Sequence, residues 1–174
     1  MAGFNVLNLM NWIEENKDNL KPPVCNKEVY PGGDFIVMMV GGPNERVDYH
    51  YNETPEFFYQ LKGDMVLKTV ENGKFVDIPI KEGEIYLLEA KVPHSPQRTA
   101  DSVGMVIELK RDPEEHTDGF QWYCSNCGDM LHEEYFKLIN IVKQLPETFA
   151  KFNNNESLHT CKSCGHKLEI PNKK

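Results

Sequence analysis

Short apolar or alternating segments follow one another through the middle of the chain. They read DFIVMMV, EFFYQL, DMVLKTV, KFVDIPI, EIYLLEA and GMVIEL, and turn-forming residues separate them at fairly regular spacing. The pair Asn72-Gly73 lies between two of these segments and suits a type I′ hairpin turn, because both central residues of that turn need a positive φ. Short strands at this spacing predict an all-β sandwich or barrel, and the double-sheet jelly roll is the architecture that fits best.

A few short helices are expected outside these strands. Asn8 can cap a helix in which Trp12 and Ile13 recur at roughly helical spacing, and we expect this helix to pack on the outside of the barrel. A second helix is predicted from Leu145 to Phe152, with Pro146 near its start.

The composition changes after Asp112-Pro113, where the chain becomes charged and then cysteine-bearing. We therefore expect residues 1–112 to form the barrel with its N-terminal helix, and residues 113–174 to form a C-terminal extension. A length of 174 residues is sufficient for one barrel with such an addition.

Charge and hydropathy exclude several classes of function. The chain has 27 acidic and 19 basic residues, and its net charge of −8 opposes general binding to nucleic acid or to an anionic membrane. No segment has the pattern of a signal peptide, and the longest apolar runs, such as Phe35 to Val40, are too short to span a membrane. We expect a cytoplasmic protein with neither a nucleic acid nor a membrane as partner.

The extension carries two CxxC pairs, formed by Cys124, Cys127, Cys161 and Cys164. Two such turns supply four thiolates in the tetrahedral arrangement of rubredoxin-like and zinc-ribbon sites. Full four-coordination leaves no position for a substrate, so we expect a structural site, which either iron or zinc could occupy. Two disulfides or free thiols are the alternative, and the reducing cytosol disfavours the disulfides. The fifth cysteine, Cys25, is expected to be a small buried apolar residue.

A second set of metal-ligand residue types lies among the predicted strands: His50, Glu56 and His94. Taken singly, His94 could be an ordinary barrel histidine and Glu56 a solvated edge charge. However, a glutamate beside Phe57 and Phe58 is costly to bury unless it meets a cation. Facing strands of a small barrel can direct such side chains to one interior point, because inward positions recur every second residue. Two imidazoles and one carboxylate suit non-haem Fe(II) with open coordination positions.

At these residues the sequence resembles the cupin superfamily, although Tyr51 and Asn52 stand where the usual first cupin motif has a second histidine. The segments LKPPV, DFIVMMVGGPNERVDYHYNETPEFFYQLKG and VPHSPQR, together with the paired CxxC tail, resemble the 3-hydroxyanthranilate 3,4-dioxygenases in the short form with a tail metal site. This resemblance covers roughly Asn11 to Gly165. It implies a cupin jelly-roll barrel, a homodimer, and Fe(II) held by three protein ligands, so that a bidentate substrate and O2 can also bind.

The resemblance also implies an activity, that of an extradiol-type ring-cleaving dioxygenase. Such an enzyme converts 3-hydroxyanthranilate and O2 to 2-amino-3-carboxymuconate semialdehyde, which feeds quinolinate and NAD biosynthesis from tryptophan in the kynurenine pathway. By the same resemblance, Arg98 binds the substrate carboxylate, Glu108 accepts hydrogen bonds from the ring substituents, and Arg46 contacts O2. Glu56 belongs to both the metal site and the substrate site.

Residues that orient the imidazoles are harder to assign. A metal-bound histidine commonly donates its other N–H to a partner, and the candidates for this role are Gln60, Gln97 and Asp48.

Two other functions remain open at this point. Cupins also host thiol dioxygenases and isomerases, because a fold does not fix a function. The other alternative is a non-catalytic, metal-dependent sensor of a small ligand, with the cysteine tail as an interaction module. The set of Arg46, Arg98 and Glu108 favours an aromatic amino acid with one carboxylate as the substrate.

Overall fold

The computed structural model describes residues 6–22, 25–139 and 141–171, with only the backbone of 141–143, and these residues form eleven strands. The strands are β1 (Asn26–Glu28), β2 (Phe35–Gly41), β3 (Asp48–Tyr51), β4 (Glu56–Lys62), β5 (Met65–Glu71), β6 (Lys74–Ile80), β7 (Ile85–Leu88), β8 (His94–Arg98), β9 (Val103–Leu109), β10 (Asp118–Tyr123) and β11 (Met130–Phe136).

The strands make two antiparallel sheets. One has five strands in the order β1-β2-β9-β4-β7, and the other has six in the order β11-β10-β3-β8-β5-β6. Each of the six segments predicted from the apolar pattern forms a strand, and Asn72-Gly73 joins β5 to β6 with φ values of 51° and 73°. The predicted all-β architecture of two sheets is therefore confirmed.

The main core lies between the sheets and contains buried side chains from five strands, which include Phe58, Leu67, Leu88 and Val106. In β4 burial alternates from Glu56 to Leu61, because successive side chains of a strand point to opposite faces. Glu56 and Gln60 consequently share the inner face of the sheet with Phe58. The alternation that fills the core thus also directs polar groups into it.

The predicted N-terminal helix is confirmed as α1 (Leu9–Glu15). The side chain of Asn8 caps it by accepting a hydrogen bond of 3.0 Å from the backbone N–H of Asn11. Trp12 and Ile13 pack with β2 and β9 side chains on the outer face of the five-stranded sheet, as expected. The helix ends at Glu15, and a separate 3-10 turn (Lys17–Leu20) follows it.

The chain beyond residue 112 continues the six-stranded sheet, because β10 pairs with both β3 and β11. The division into two units at that position stays a prediction. The second helix, α2 (Ile141–Asn153), starts four residues before Leu145, so Pro146 lies inside it and not near its start. Its Phe152 stacks on Trp122 with ring centroids 4.4 Å apart. None of the described helices is long and apolar enough to cross a membrane.

Candidate active site

His50, Glu56 and His94 converge between the two sheets. His50 and His94 are direct partners in the register of β3 and β8, and Glu56 is the first residue of β4. One oxygen of the Glu56 carboxylate is 3.5 Å from His50 Nδ1, and the other is 3.4 Å from His94 Nε2. Ligand atoms of the three side chains all lie within 4.8 Å of one another.

This donor set fits a divalent transition-metal ion. Glu56 and His94 are only 4% and 2% exposed, and a buried carboxylate needs a cation or hydrogen bonds to offset its loss of hydration. Burial raises the pKa of Glu56, but the charge of His94 and hydrogen bonds with both imidazoles outweigh it and hold that pKa well below its usual range. Asn52 Nδ2 also donates to Glu56 Oε1 at 2.6 Å. The carboxylate is therefore ionised and oriented for a metal ion.

Each imidazole has a partner for its other ring nitrogen. His50 Nε2 lies 3.0 Å from Asp118 Oδ1, and His94 Nδ1 lies 3.0 Å from the carbonyl oxygen of Val92. Burial lowers the pKa of His50, whereas hydrogen bonds to Asp118 and Glu56 raise it, and the pKa rises to about 9. A carboxylate or carbonyl behind a ligating histidine fixes the orientation of the ring.

The prediction that Gln60, Gln97 and Asp48 orient the imidazoles is wrong, because these side chains bond to the two arginines. Gln60 Oε1 accepts a hydrogen bond of 2.9 Å from Arg98 Nη1. Gln97 Nε2 donates to the backbone oxygen of Arg46 at 3.1 Å. Asp48 forms an ion pair with the Arg46 guanidinium.

Arg98 lies at the end of β8, on the same side of the strand as His94, and is 4% exposed. Burial, together with the nearby charge of Arg46, lowers the pKa of Arg98 to about 10. Its Nε is buried and has no hydrogen-bond partner among the residues that the structure describes. A buried guanidinium with an N–H to donate is suited to binding an anion such as a carboxylate.

Arg46 differs from Arg98 in its surroundings. Its side chain is 27% exposed and lies at the rim, in a cleft that also borders the first CxxC turn. The structure pairs its guanidinium with Asp48, so its predicted contact with O2 stays a prediction.

Glu108 lies beside Glu56 in the register of β9 and β4, on the inner face of the sheet. Burial and the neighbouring charge of Glu56 raise the pKa of Glu108 to about 7, although Arg111 acts in the opposite direction. Arg111 Nη1 forms an ion pair of 2.5 Å with Glu108 Oε2. The predicted metal and substrate residues of the barrel are thus grouped at one place, and their individual roles stay predictions.

The four cysteines of the extension also come together: Cys124, Cys127, Cys161 and Cys164. Sγ atoms from opposite pairs are 3.5 and 3.6 Å apart, much longer than the roughly 2.05 Å of a disulfide. The alternative of two disulfides is therefore not adopted. Cys25, which we expected to be buried, is only half-buried.

The two CxxC turns have the same local geometry. In each, the backbone N–H of the glycine that follows donates to the oxygen of the first cysteine at 2.9 Å, from Gly128 to Cys124 and from Gly165 to Cys161. These glycines have φ values of 79° and 74°, a conformation that other residues rarely adopt. Four thiol groups within 4.8 Å of one another fit a tetrahedral metal ion.

Comparison with known proteins identifies the family. Residues 1–153 match the family model described as 3-hydroxyanthranilic acid dioxygenase. The chain belongs to this family. It is 53% identical over 165 residues to a 3-hydroxyanthranilate 3,4-dioxygenase of Xanthomonas euvesicatoria, and the aligned region covers 95% of this chain and 93% of that protein. It is 51% identical over 159 residues to the Neurospora crassa protein of the same name, with 91% and 87% covered.

A solved structure of a cupin-2 domain containing protein from Shewanella frigidimarina is a more distant match. It is 19% identical and covers 60% of this chain and 95% of that one, with a TM-score of 0.48.

The matched range of the 3-hydroxyanthranilic acid dioxygenase family contains the whole barrel site but only the first CxxC pair. The barrel site includes residues that the sequence analysis missed, Arg111 and Asp118. Arg111 follows β9 in the run LKRDPEE, which is typical of a solvated loop, yet it is 6% exposed. Asp118 precedes the apolar GFQWY, and a carboxylate next to an apolar strand was the same signal that singled out Glu56.

Proposed function

We propose that this protein is an Fe(II)-dependent 3-hydroxyanthranilate 3,4-dioxygenase, which combines 3-hydroxyanthranilate with O2 to form 2-amino-3-carboxymuconate semialdehyde. The observation that carries the proposal is the convergence of two imidazoles and one carboxylate within 4.8 Å, in a chain of the 3-hydroxyanthranilic acid dioxygenase family. Through its product, the enzyme would supply quinolinate and NAD biosynthesis in the kynurenine pathway.

The three ligands in this proposal are His50, Glu56 and His94. An iron(II) ion held by them would supply open coordination positions for the hydroxyl and amine of the substrate and for O2. The cysteine site in the extension would hold iron or zinc with a structural role, because four thiolates occupy all the coordination positions of a tetrahedral ion.

The charges around the barrel site support a substrate with one carboxylate. Apart from Asp48, whose charge is balanced by its ion pair with Arg46, three carboxylates are buried there, those of Glu56, Glu108 and Asp118. When all three are ionised, a divalent metal ion and Arg111 together balance their charge. Arg98 then adds one positive charge, with a buried Nε that can donate a hydrogen bond. A guanidinium in such a buried setting binds a carboxylate far more strongly than one on the surface.

Glu108 and Arg46 complete the proposed site. The Glu108 carboxylate accepts hydrogen bonds from the ring substituents of the substrate. A pKa of about 7 suits a group that takes up and returns a proton near neutral pH. Arg46, at the exposed rim, is proposed to contact O2.

We also propose a homodimer. The outer face of the five-stranded sheet carries exposed apolar side chains, which include Phe35 (56% exposed), Ile85 (64%) and Leu87 (57%). An apolar patch on a sheet is typical of an interaction surface. Our proposal places the protein in the cytoplasm, where a reducing environment keeps both the thiolates and a ferrous ion in the required state.

Oxygen uptake and metal analysis on the same sample would test this function. Protein loaded anaerobically with Fe(II) is assayed for metal content, and 3-hydroxyanthranilate is then added in aerated buffer. We expect equimolar consumption of O2 and substrate, with the absorbance of the semialdehyde growing in step. Anthranilate, which lacks the hydroxyl group, serves as the matched control and should not be cleaved. Binding of 3-hydroxyanthranilate without O2 uptake would instead identify a sensor and overturn the proposal.

A further inference from the structure

Arg111 lies directly after β9, and its guanidinium is surrounded by carboxylates. Its side chain is only 3% exposed. Nη1 is 2.5 Å from Glu108 Oε2, Nε donates to Asp118 Oδ2 at 3.3 Å, and Nη2 is 4.0 Å from Glu56 Oε1. Nη1 also donates to the backbone oxygen of Leu109 at 3.1 Å, which fixes the side chain to its own strand. The Arg111 guanidinium therefore faces three acidic side chains, each through a different nitrogen atom.

These carboxylates all belong to the barrel site. Glu56 is a candidate metal ligand, and Glu108 is its neighbour in the register of β4 and β9. Asp118 is fully buried and uses its two oxygens differently: Oδ1 bonds to His50, whereas Oδ2 bonds to Arg111. A continuous path of polar contacts thus runs from His50 through Asp118 and Arg111 to Glu108.

Electrostatics explains why this arrangement needs a guanidinium. Like charges repel strongly in a buried site, so neighbouring carboxylates without a cation between them would rotate apart or take up protons. Arginine stays charged and donates from several N–H groups in a fixed plane, whereas lysine presents a single point charge. The Glu108, Asp118 and Glu56 carboxylates each lie nearest to a different nitrogen of the Arg111 guanidinium.

We propose that Arg111 is a positioning residue of the active site, which holds the Glu108 carboxylate in place and, through Asp118, sets the ring orientation of His50. The role of Arg111 in placing Glu108 rests on the proposed function, because the position of the Glu108 carboxylate affects turnover only if that carboxylate contacts the substrate. The part that concerns His50 requires only that the barrel site binds a metal ion.

The experiment compares Arg111→Gln and Arg111→Lys with Lys110→Gln, a matched control that removes the positive charge of the exposed preceding residue. Co(II) binding to the full-length metal-free protein is titrated, and sulfur-to-cobalt charge-transfer absorption distinguishes the cysteine site from the barrel site. We expect Arg111→Gln to weaken Co(II) binding at the barrel site by about 10- to 100-fold, the usual effect of losing a group that orients a ligand. Arg111→Lys should be intermediate, and the cysteine site should be unchanged in all variants.

A purely structural role would lower the melting temperature but leave metal affinity in the folded protein unchanged. Two double-variant cycles separate these cases. The cycle of Arg111→Gln with Asp118→Asn is measured by Co(II) affinity at the barrel site, and the cycle of Arg111→Gln with Glu108→Gln is measured by kcat/KM. If Arg111 acts through these carboxylates, each double variant should lose less than the product of the two single losses. The Arg111→Gln/Asp118→Asn variant removes the buried cation together with one of its anions, so it leaves less uncompensated charge than Arg111→Gln alone. If Arg111→Gln does not fold, the Co(II) affinity of this double variant is compared with that of Asp118→Asn.

Wild-type Co(II) affinity in folded Arg111→Gln, or fully multiplicative losses in both cycles, would overturn the proposal. If barrel-site affinity falls as expected while even the wild-type protein fails to turn over 3-hydroxyanthranilate, the proposed function fails and the positioning of His50 by Arg111 stands.

Discussion

The two candidate metal sites lie at opposite ends of the same strand. Asp118, the first residue of β10, bonds to a ligand of the barrel site, and Cys124, directly after its last residue, belongs to the cysteine site. The barrel site takes nitrogen and oxygen donors from three different strands and lies between two sheets. The cysteine site takes sulfur donors from two local turns, and two of its cysteines are exposed.

This contrast shows how each site is stabilised. The cysteine turns are self-contained, because each forms its own backbone hydrogen bonds and places two thiols by local geometry alone. The barrel site depends on contacts between distant parts of the chain, such as the ion pairs of Arg111 and the register between His50 and His94. We therefore expect the barrel site to be sensitive to changes in its surroundings and the cysteine site to be sensitive mainly to loss of a ligand.

The largest expected effect is that of Glu56→Ala. Removal of the only carboxylate in the triad leaves two imidazoles, which are too few to retain the metal ion, so turnover should fall to background while the cysteine site keeps its metal. Metal content per chain and oxygen uptake measure the two effects separately. Glu89→Ala, which removes an exposed carboxylate of the barrel, is the matched control. A Glu56→Ala protein that is replete with iron and active would disprove the ligand assignment.

Arg98→Ala should have the next largest effect and should leave both metal sites loaded. A charged hydrogen bond contributes about 1.5–3 kcal/mol, so KM for 3-hydroxyanthranilate should rise by roughly 10- to 100-fold. Steady-state kinetics at saturating O2 measure this change, and Arg98→Lys should recover part of it because the charge remains. If KM is unchanged and only the metal content falls, Arg98 does not bind the substrate.

Cys161→Ser tests whether the two sites are independent. Loss of one thiolate should release the cysteine-bound metal and destabilise the extension by about 2 kcal/mol or more, which lowers the melting temperature by roughly 4–8 °C. Turnover at low temperature should change much less. Ser163→Ala, an exposed change within the same turn, is the control. An equally large loss of the barrel metal in Cys161→Ser would show instead that the cysteine site supports the barrel site through β10.

Local sequence patterns predicted the parts of the structure that have local causes. The short apolar or alternating segments predicted six strands, the Asn72-Gly73 pair predicted the turn between β5 and β6, and the CxxC spacing predicted the cluster of four cysteines. Strand β8 reads HSPQR and has neither an apolar alternation nor a β-branched residue, so no strand signal marked it.

The residues that orient the barrel site could not be predicted, for a different physical reason. Arg111 bonds to Asp118, and the pairing of β10 with β3 brings Asp118 to His50, 68 positions away in the chain. No periodicity in LKRDPEE reports such a contact between distant segments. Gln60, Gln97 and Asp48 were close in sequence to the ligands. However, Gln60 and Gln97 bond to Arg98 and Arg46 from distant segments, and Asp48 pairs with Arg46 two residues before it.

The smallest expected effect comes from a matched pair of amide donors, one in each site. Asn52 is 2% exposed and donates to the ligand Glu56 at 2.6 Å, whereas exposed Asn126 donates to Cys164 Sγ at 3.6 Å. Hydrogen bonds from Asn126, from the backbone of His166 and from Cys127 lower the pKa of the Cys164 thiol to about 6, but a bound metal ion holds a thiolate ionised without this help.

Asn52→Ala should therefore weaken Co(II) binding at the barrel site by about tenfold, the lower end of the effect of losing a group that orients a ligand. Asn126→Ala should change Co(II) binding at the cysteine site by no more than about twofold, because an exposed hydrogen bond is readily replaced by water. The Co(II) dissociation constants of both sites are measured in the same titration. Equal losses in the two variants would mean that the cysteine site relies on its surroundings as much as the barrel site does, and the contrast between a self-contained site and a supported one would not hold.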